Sequence, residues 1–426
     1  MQISTLDWII IFSFFALFIA VGLYYAKKSG KNSKEYFLSG RKMPWWLLGI
    51  SMVATTFSAD TPNLVTNIVR ESGVSGNWVW WAFLLTGMMT VFFYAKLWRR
   101  SEVLTDLEFY ELRYSGKESM FLRAFRALYL GVFFNVMIMA TVCLAGIKIG
   151  GILLGLSPFE CVFYSSLITV IYSSLGGLRS VIVTDLIQFA LAMVGSIFAC
   201  IYLLNLDQIG GLNQLITNPL VVDKLNFLPD FRDFDTLIVV FIIPIAVQWW
   251  AVWYPGAEPG GGGYIAQRML SAKDEKNAVY STLLFNVAHY AIRPWPWILI
   301  ALASIIIYPS LNDIASTFPN VDKSIIGNDI AYPAMLFLLP SGLLGIVLAS
   351  LAAAFMSTIS SHLNWGASYI SIDFYKRFMK KNATEKEVVF IGRISTVILM
   401  ILAGFVALKL TDALDAFQIL LQIGAG

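Results

Sequence analysis

The run Ala54-Thr55-Thr56-Phe57-Ser58-Ala59-Asp60-Thr61-Pro62 lies in the middle of an apolar stretch long enough to cross a bilayer. It is nevertheless a poor helix interior, because β-branched residues, serine, aspartate and finally proline all weaken an α-helix. A second interruption, Pro255-Gly256-Ala257-Glu258-Pro259-Gly260-Gly261-Gly262-Gly263, ends a later apolar stretch. Hydrocarbon offers no water to freed backbone groups, so irregular backbone there is confined to places where it is buried in protein or lines a cavity. Taken singly, the first reads as a proline kink and the second as a surface turn. Taken as a pair, on the first and sixth helices of a ten-helix core, they read as the discontinuous helices of an inverted-repeat transporter with its site near the midplane.

The medium around this core follows from composition. Hydrophobic residues make up 58% of the 426 and charged residues 13%, and the mean hydropathy is +0.71. That leaves too little polar surface to cover a water-soluble globule of this size. Eleven spans are expected, over 6–26, 45–69, 75–96, 123–148, 158–175, 180–204, 236–257, 278–307, 330–375, 388–408 and 412–426, each compared with a bilayer's need for about 20 apolar residues. The ninth is long enough to include a surface helix or turn near Pro333–Pro340. The first lacks a basic leader and a cleavage site, so it is a span and not a signal peptide. The last stops in mid-pattern at Gly426, and the natural protein is expected to continue.

Charge sets the orientation. Loops 27–44, 96–126, 176–179, 265–277 and 376–393 hold 23 of the 30 Lys and Arg residues. The positive-inside rule places these loops in the cytoplasm and the N-terminus outside, in a multi-pass plasma (inner) membrane protein. Cys143, Cys161 and Cys200 fall in apolar runs without metal or disulfide spacing and read as packing residues. There is no phosphate loop, no dinucleotide fingerprint and no basic patch with interleaved aromatics, so nucleic acid is not an expected partner. The sequence is silent on oligomeric state.

Polar residues inside the spans are the candidate site. Ala354, Ser357, Thr358 and Ser361 share one helical stripe, with Ser360 beside them. A single membrane serine usually bonds to the preceding turn of its own helix. Four hydroxyls in five residues, facing a frayed helix with freed carbonyls, suit an alkali cation, which takes several oxygen ligands. Asp185 sits in the apolar part of the sixth span, as an acid paired with Arg179 at the interface or as part of a cation site. Solute-pocket candidates are Thr56, Asp60, Thr61, Asn135, Gln248, Trp253, Glu258, His289 and Arg293. Arg293 either binds a carboxylate or partners an internal acid, and His289 is either a hydrogen-bonded core residue or a ligand. Tryptophans 249, 250, 253, 295 and 297 are suited to stacking on a sugar ring or to plain packing.

These segments together resemble the sodium/solute symporter family, which includes sodium-coupled sugar, proline, pantothenate and sialic acid carriers. The resemblance rests on Tyr36-Phe37-Leu38-Ser39-Gly40-Arg41 before Pro44-Trp45-Trp46, and on Thr105-Asp106-Leu107-Glu108-Phe109 with Arg113-Tyr114. It continues through Tyr172-Ser173-Ser174-Leu175-Gly176-Gly177-Leu178 with Thr184-Asp185, and Gln267-Arg268-Met269-Leu270-Ser271-Ala272-Lys273. It ends with Leu343-Leu344-Gly345-Ile346-Val347-Leu348-Ala349 through Ser357-Thr358 to Leu363-Asn364. It implies an all-α integral membrane fold with a five-plus-five inverted repeat and an extra N-terminal helix. The chain is then one transporter domain, 1–426, with the extra helix at 6–26, a first repeat at about 45–204 and a second at about 236–426.

The resemblance further implies a main sodium site of the Ala54, Phe57 and Ala354 carbonyls with the Ser357 and Thr358 hydroxyls. It implies a second site from Asp185, Ser357, Ser360 and Ser361. The sugar carriers of the family use amides and an acid near Thr56, Thr61 and Trp80-Trp81, and a lysine that aligns with His289. This chain departs there, with Thr61 for an amide, histidine for the lysine and an unusual Pro255–Gly263. The expected activity is sodium-coupled import of a small organic solute, sugar-like first, amino acid or carboxylate otherwise. The rivals are the membrane input module of a sensor, and a channel or membrane enzyme. With only His289 and His362, the chain lacks a nucleophile–base constellation.

Overall fold

A computed structural model describes residues 3–247, 249, 262–319, 321 and 326–410. Among them the fold is helical. The principal helices are α1 (Thr5–Ser29), α2 (Trp45–Thr55), α3 (Asp60–Ser72), α4 (Val74–Ser101) and α5 (Gly116–Gly151). There follow α6 (Pro158–Leu204), α7 (Phe234–Ala246), α8 (Gly263–Ser271), α9 (Glu275–Ile307), α10 (Leu343–Met379) and α11 (Glu385–Ala407). Seven stretches among the described residues are long and apolar enough to cross a membrane.

The break expected near Ala54–Pro62 is present. The helix stops at Thr55 and restarts at Asp60. Pro62 lies in the first turn of α3, where a missing N–H costs nothing. Of the second break, residues 255–261 lie outside the described residues. Its far edge is seen at Gly262-Gly263, where Gly263 has φ +59 and opens α8. The expected spans 158–175 and 180–204 meet in α6 without a free loop between them. They are separated by a single glycine, Gly177, at φ 58 and ψ −166, a conformation that any side chain would strain. The long ninth span resolves into a short helix, Ala331–Leu336, a turn, and α10. The span 412–426 lies outside the described residues.

Burial orders the helices from rim to centre. The apolar window of α10 is 83% buried and that of α1 only 22%, so α10 forms the axis of the protein and α1 faces lipid along most of its length. π-Helical turns interrupt α4 at Thr90–Tyr94, α5 at Tyr129–Phe134 and α9 at Val287–Ile292. Such turns are frequent at functional sites, and the one in α9 carries His289.

Candidate functional site

The break in α2–α3 exposes backbone oxygens towards the hydroxyl stripe of α10. The Thr358 hydroxyl donates to the carbonyl of Thr55 at 2.9 Å and lies 3.3 Å from that of Phe57. The Ala54 carbonyl accepts the Phe57 N–H at 3.3 Å, a tightened last turn. Ala54, Phe57, Ala354, Ser357 and Thr358 are all buried. The Thr358 hydroxyl and the carbonyls of Thr55 and Phe57 thus meet across the break, and neutral oxygens of this kind are what a small hard cation takes.

The second expected set is only partly gathered. The Ser357 hydroxyl donates to Asp185 Oδ1 at 2.6 Å, and Ser51 donates to its Oδ2. Ser360 turns away and donates to the carbonyl of Ser357 at 3.1 Å. Ser361 does join the cluster, with its oxygen 2.8 Å from Thr55 Oγ1. The cation within this cluster belongs to the protein. Arg268, fully buried, donates through Nη2 to Ser361 and to Thr55 Oγ1 at 3.0 Å, and lies 3.5 Å from Asp185. The sequence alone leaves Arg268 among the loop charges and offers Asp185 either Arg179 or a cation site. Arg179 instead lies 4.0 Å from Glu35. The missed signal was the all-buried α8, an amphipathic nine-residue helix packed between α2, α4 and α10. Five residues beyond a glycine run, its arginine looked like a surface charge.

A second cluster grows from the neighbouring residue. Thr56 Oγ1 lies 3.0 Å from His289 Nδ1, and Arg293 donates through Nη2 to His289 Nε2 at 3.3 Å. An accepting Nε2 leaves the ring proton on Nδ1, pointed at Thr56. Arg293, buried, also reaches Thr56 Oγ1 at 3.4 Å and lies over the Trp297 ring. Trp80 lies edge-on to His289 and stacks on Tyr290 with centroids 6.0 Å apart. Asp60 is half-buried at the start of α3, and the Thr61 hydroxyl accepts the Ser58 N–H at 3.2 Å. Asn135 does not join this cluster. Its side chain is held by His362, with the Asn135 oxygen 2.6 Å from Nδ1 and its amide donating to the His362 carbonyl at 2.9 Å. Gln248, Trp253 and Glu258 lie outside the described residues.

Thr55 and Thr56 are thus consecutive residues at one helix break that serve two different clusters, one of hydroxyls with Asp185 and Arg268 and one lined by aromatic and polar groups. The family model for the sodium:solute symporter family matches residues 36–423. The chain belongs to that family. Among the similar proteins, a sodium/glucose cotransporter of Vibrio parahaemolyticus is 27% identical over 98% of this chain and 77% of its own length. A sodium/mannose cotransporter of Bos taurus is 27% identical over 94% of this chain and 68% of its own. A sodium/sialic acid symporter of Proteus mirabilis is 23% identical over 99% and 82%. The solved outward-open, substrate-bound structure of a sodium-coupled sialic acid symporter superposes with a TM-score of 0.77 at 21% identity, over 98% of this chain and 84% of that one. The fold is therefore the five-plus-five inverted repeat. This symporter is a multi-pass membrane transporter of a small solute coupled to sodium, and not an enzyme.

Proposed function

We propose that this symporter imports a sugar or sugar-like solute, with sodium held between the α2–α3 break and α10. The observation that carries the reading is the adjacency of Thr55 and Thr56. Sodium binds to the carbonyls of Ala54, Phe57 and Ala354 and the hydroxyls of Ser357 and Thr358. Its charge draws the broken helix against α10 and so fixes Thr56, which shapes the solute cluster of His289, Arg293, Asp60 and Thr61 with the Trp80 and Tyr290 rings. Coupling then needs only that two states differ in affinity for two ligands.

In this reading Asp185, Ser360 and Ser361 form a second sodium position only when Arg268 withdraws from it. The repeats span about 45–204 and 236–426, and the N-terminus lies outside the plasma membrane. Support for a sugar-like solute comes from the cotransporters for glucose and mannose among the relatives and from flat aromatic surfaces beside hydrogen-bonding groups. Arg293 favours a second reading, a solute with a carboxylate.

The test is uptake into proteoliposomes from a panel of sugars, sialic acids, amino acids and carboxylates, with sodium or potassium outside. Uptake of a sugar in sodium alone supports the proposal. Sodium-driven uptake confined to amino acids or simple carboxylates would overturn the solute assignment, and no sodium dependence across the panel would overturn the mechanism.

A further inference from the structure

One carboxylate joins the helix outside the repeat to the helix that carries the sodium hydroxyls. Asp7, in the first turn of α1, is 1% exposed. Its Oδ1 accepts the backbone N–H of Gly342 at 2.7 Å and of Gly345 at 2.8 Å, at the start of α10. Its Oδ2 accepts the Ser4 hydroxyl at 2.6 Å and the Ser4 N–H at 3.1 Å, at the start of α1. The Ser341 hydroxyl lies 3.4 Å from the same oxygen.

Two helices that begin side by side present two positive dipole ends and two sets of unsatisfied N–H groups to each other. A single buried anion between them satisfies donors of both and cancels the repulsion. The contact is too tight for a side chain on the other wall, since a Cβ at Gly345 would lie 2.7 Å from Asp7 Cα. That accounts for the glycine in Leu343-Leu344-Gly345-Ile346-Val347-Leu348-Ala349, a motif the sodium and solute clusters leave unexplained.

The helix from Leu343 to Ser368 is continuous, so a fixed outer end fixes the axial position and rotation of Ser357 and Thr358 about 21–23 Å along it. A cation site is sensitive to displacements of a few tenths of an ångström. We propose that Asp7 is a positioning residue for sodium binding, setting the register of α10 from outside the inverted repeat. The proposal rests on the assignment of Ser357 and Thr358 as sodium ligands.

The experiment titrates purified full-length protein with sodium, choline replacing it at constant ionic strength, and reads the rise in melting temperature, so no solute is needed. Wild-type protein, Asp7→Ala, Asp7→Asn, Gly345→Ala and Ser357→Ala are compared. Expected for Asp7→Ala and Gly345→Ala is a sodium half-saturation about tenfold higher, the scale on which partners behind a metal site act. Asp7→Asn, which keeps an acceptor oxygen and loses the charge, falls between. A merely structural Asp7 lowers the melting temperature in choline and leaves the sodium half-saturation within about twofold of wild type, and that result would overturn the proposal. Ser357→Ala separates the two ideas. If it leaves sodium half-saturation unchanged, the ligand assignment fails. If it weakens sodium while Asp7→Ala and Gly345→Ala do not, the positioning role alone fails.

Discussion

At the scale of single residues, the hydroxyls of α10 and the guanidinium of α8 make different predictions. Thr358 spans two carbonyls of the break, and Ser357, one residue earlier, donates to Asp185. Replacing either with alanine removes an oxygen from the proposed sodium site, and the sodium needed for half-maximal uptake is expected to rise about tenfold or more. Unchanged sodium dependence in both variants would refute the site. Arg268 predicts a loss of stability. Removing one partner of a buried ion pair costs about 3–5 kcal/mol because it strands the other charge, a penalty that is relieved when both charges go. Arg268→Ala is therefore expected to lower the melting temperature sharply, and Arg268→Ala with Asp185→Ala to restore part of it. Equal losses in the single and double variants would show that Asp185 is not the partner that counts. The stripe of α10 was legible in the sequence because hydroxyls at helical spacing are rare in an apolar span. Arg268 was not, because only the tertiary packing of α8 makes a loop-like charge into a buried one.

At the scale of elements, the two interruptions differ in what they announce. Aspartate and proline betray the break at Thr56–Ala59, since neither sits easily in a helix interior. The π turns leave no such trace. One extra residue in a turn is stabilised by neighbouring helices, so spacing alone leaves His289 open as a core residue or a ligand. Packing also took Asn135 away from the solute cluster, a choice set by the facing carbonyl of His362 and not by local sequence.

The end of the helices rich in Lys and Arg is tied by another arrangement invisible to spacing. Arg123 of α5 meets Asp373 at 2.7 Å, Glu111 at 2.7 Å and Glu108 at 3.3 Å, while Arg377 of α10 meets Glu111 at 3.0 Å. Thr105 donates to Asp373 at 2.8 Å, and Asp106 accepts from Tyr369 and from the N–H of Gly263. α5, α8, α10 and the helix Glu108–Arg113 are thus held at one end by buried charge. Arg123→Gln leaves Asp373 without its cation and is expected to loosen that end. Hydrogen exchange of residues 102–113 and 369–379 should speed up while that of α1 does not. Equal protection in both proteins would mean that apolar packing, not the ion cluster, closes this end.

At the scale of the whole molecule, the fixed charge of Arg268 bears on how many sodium ions drive each solute. Asp185 and Arg268 together carry no net charge, and the guanidinium already takes the Ser361 and Thr55 oxygens. A second sodium about 4 Å from that guanidinium meets a repulsion of about 4 kcal/mol at an effective dielectric constant near 20, which the neighbouring Asp185 carboxylate offsets, so exclusion rests chiefly on the oxygens being taken. A single ion is sufficient work. An inward potential of 100 mV contributes about 2.3 kcal/mol per charge, and a tenfold sodium gradient adds about 1.4 kcal/mol. Together they support accumulation of a neutral solute by about 500-fold, at 1.4 kcal/mol per factor of ten. The expected result is a sodium Hill coefficient near one and equal initial fluxes of labelled sodium and labelled solute in the same proteoliposomes. A flux ratio of two, with a Hill coefficient near two, would require Arg268 to leave its oxygens during the cycle. The second position proposed from Asp185, Ser360 and Ser361 would then hold a sodium ion where the arginine now lies.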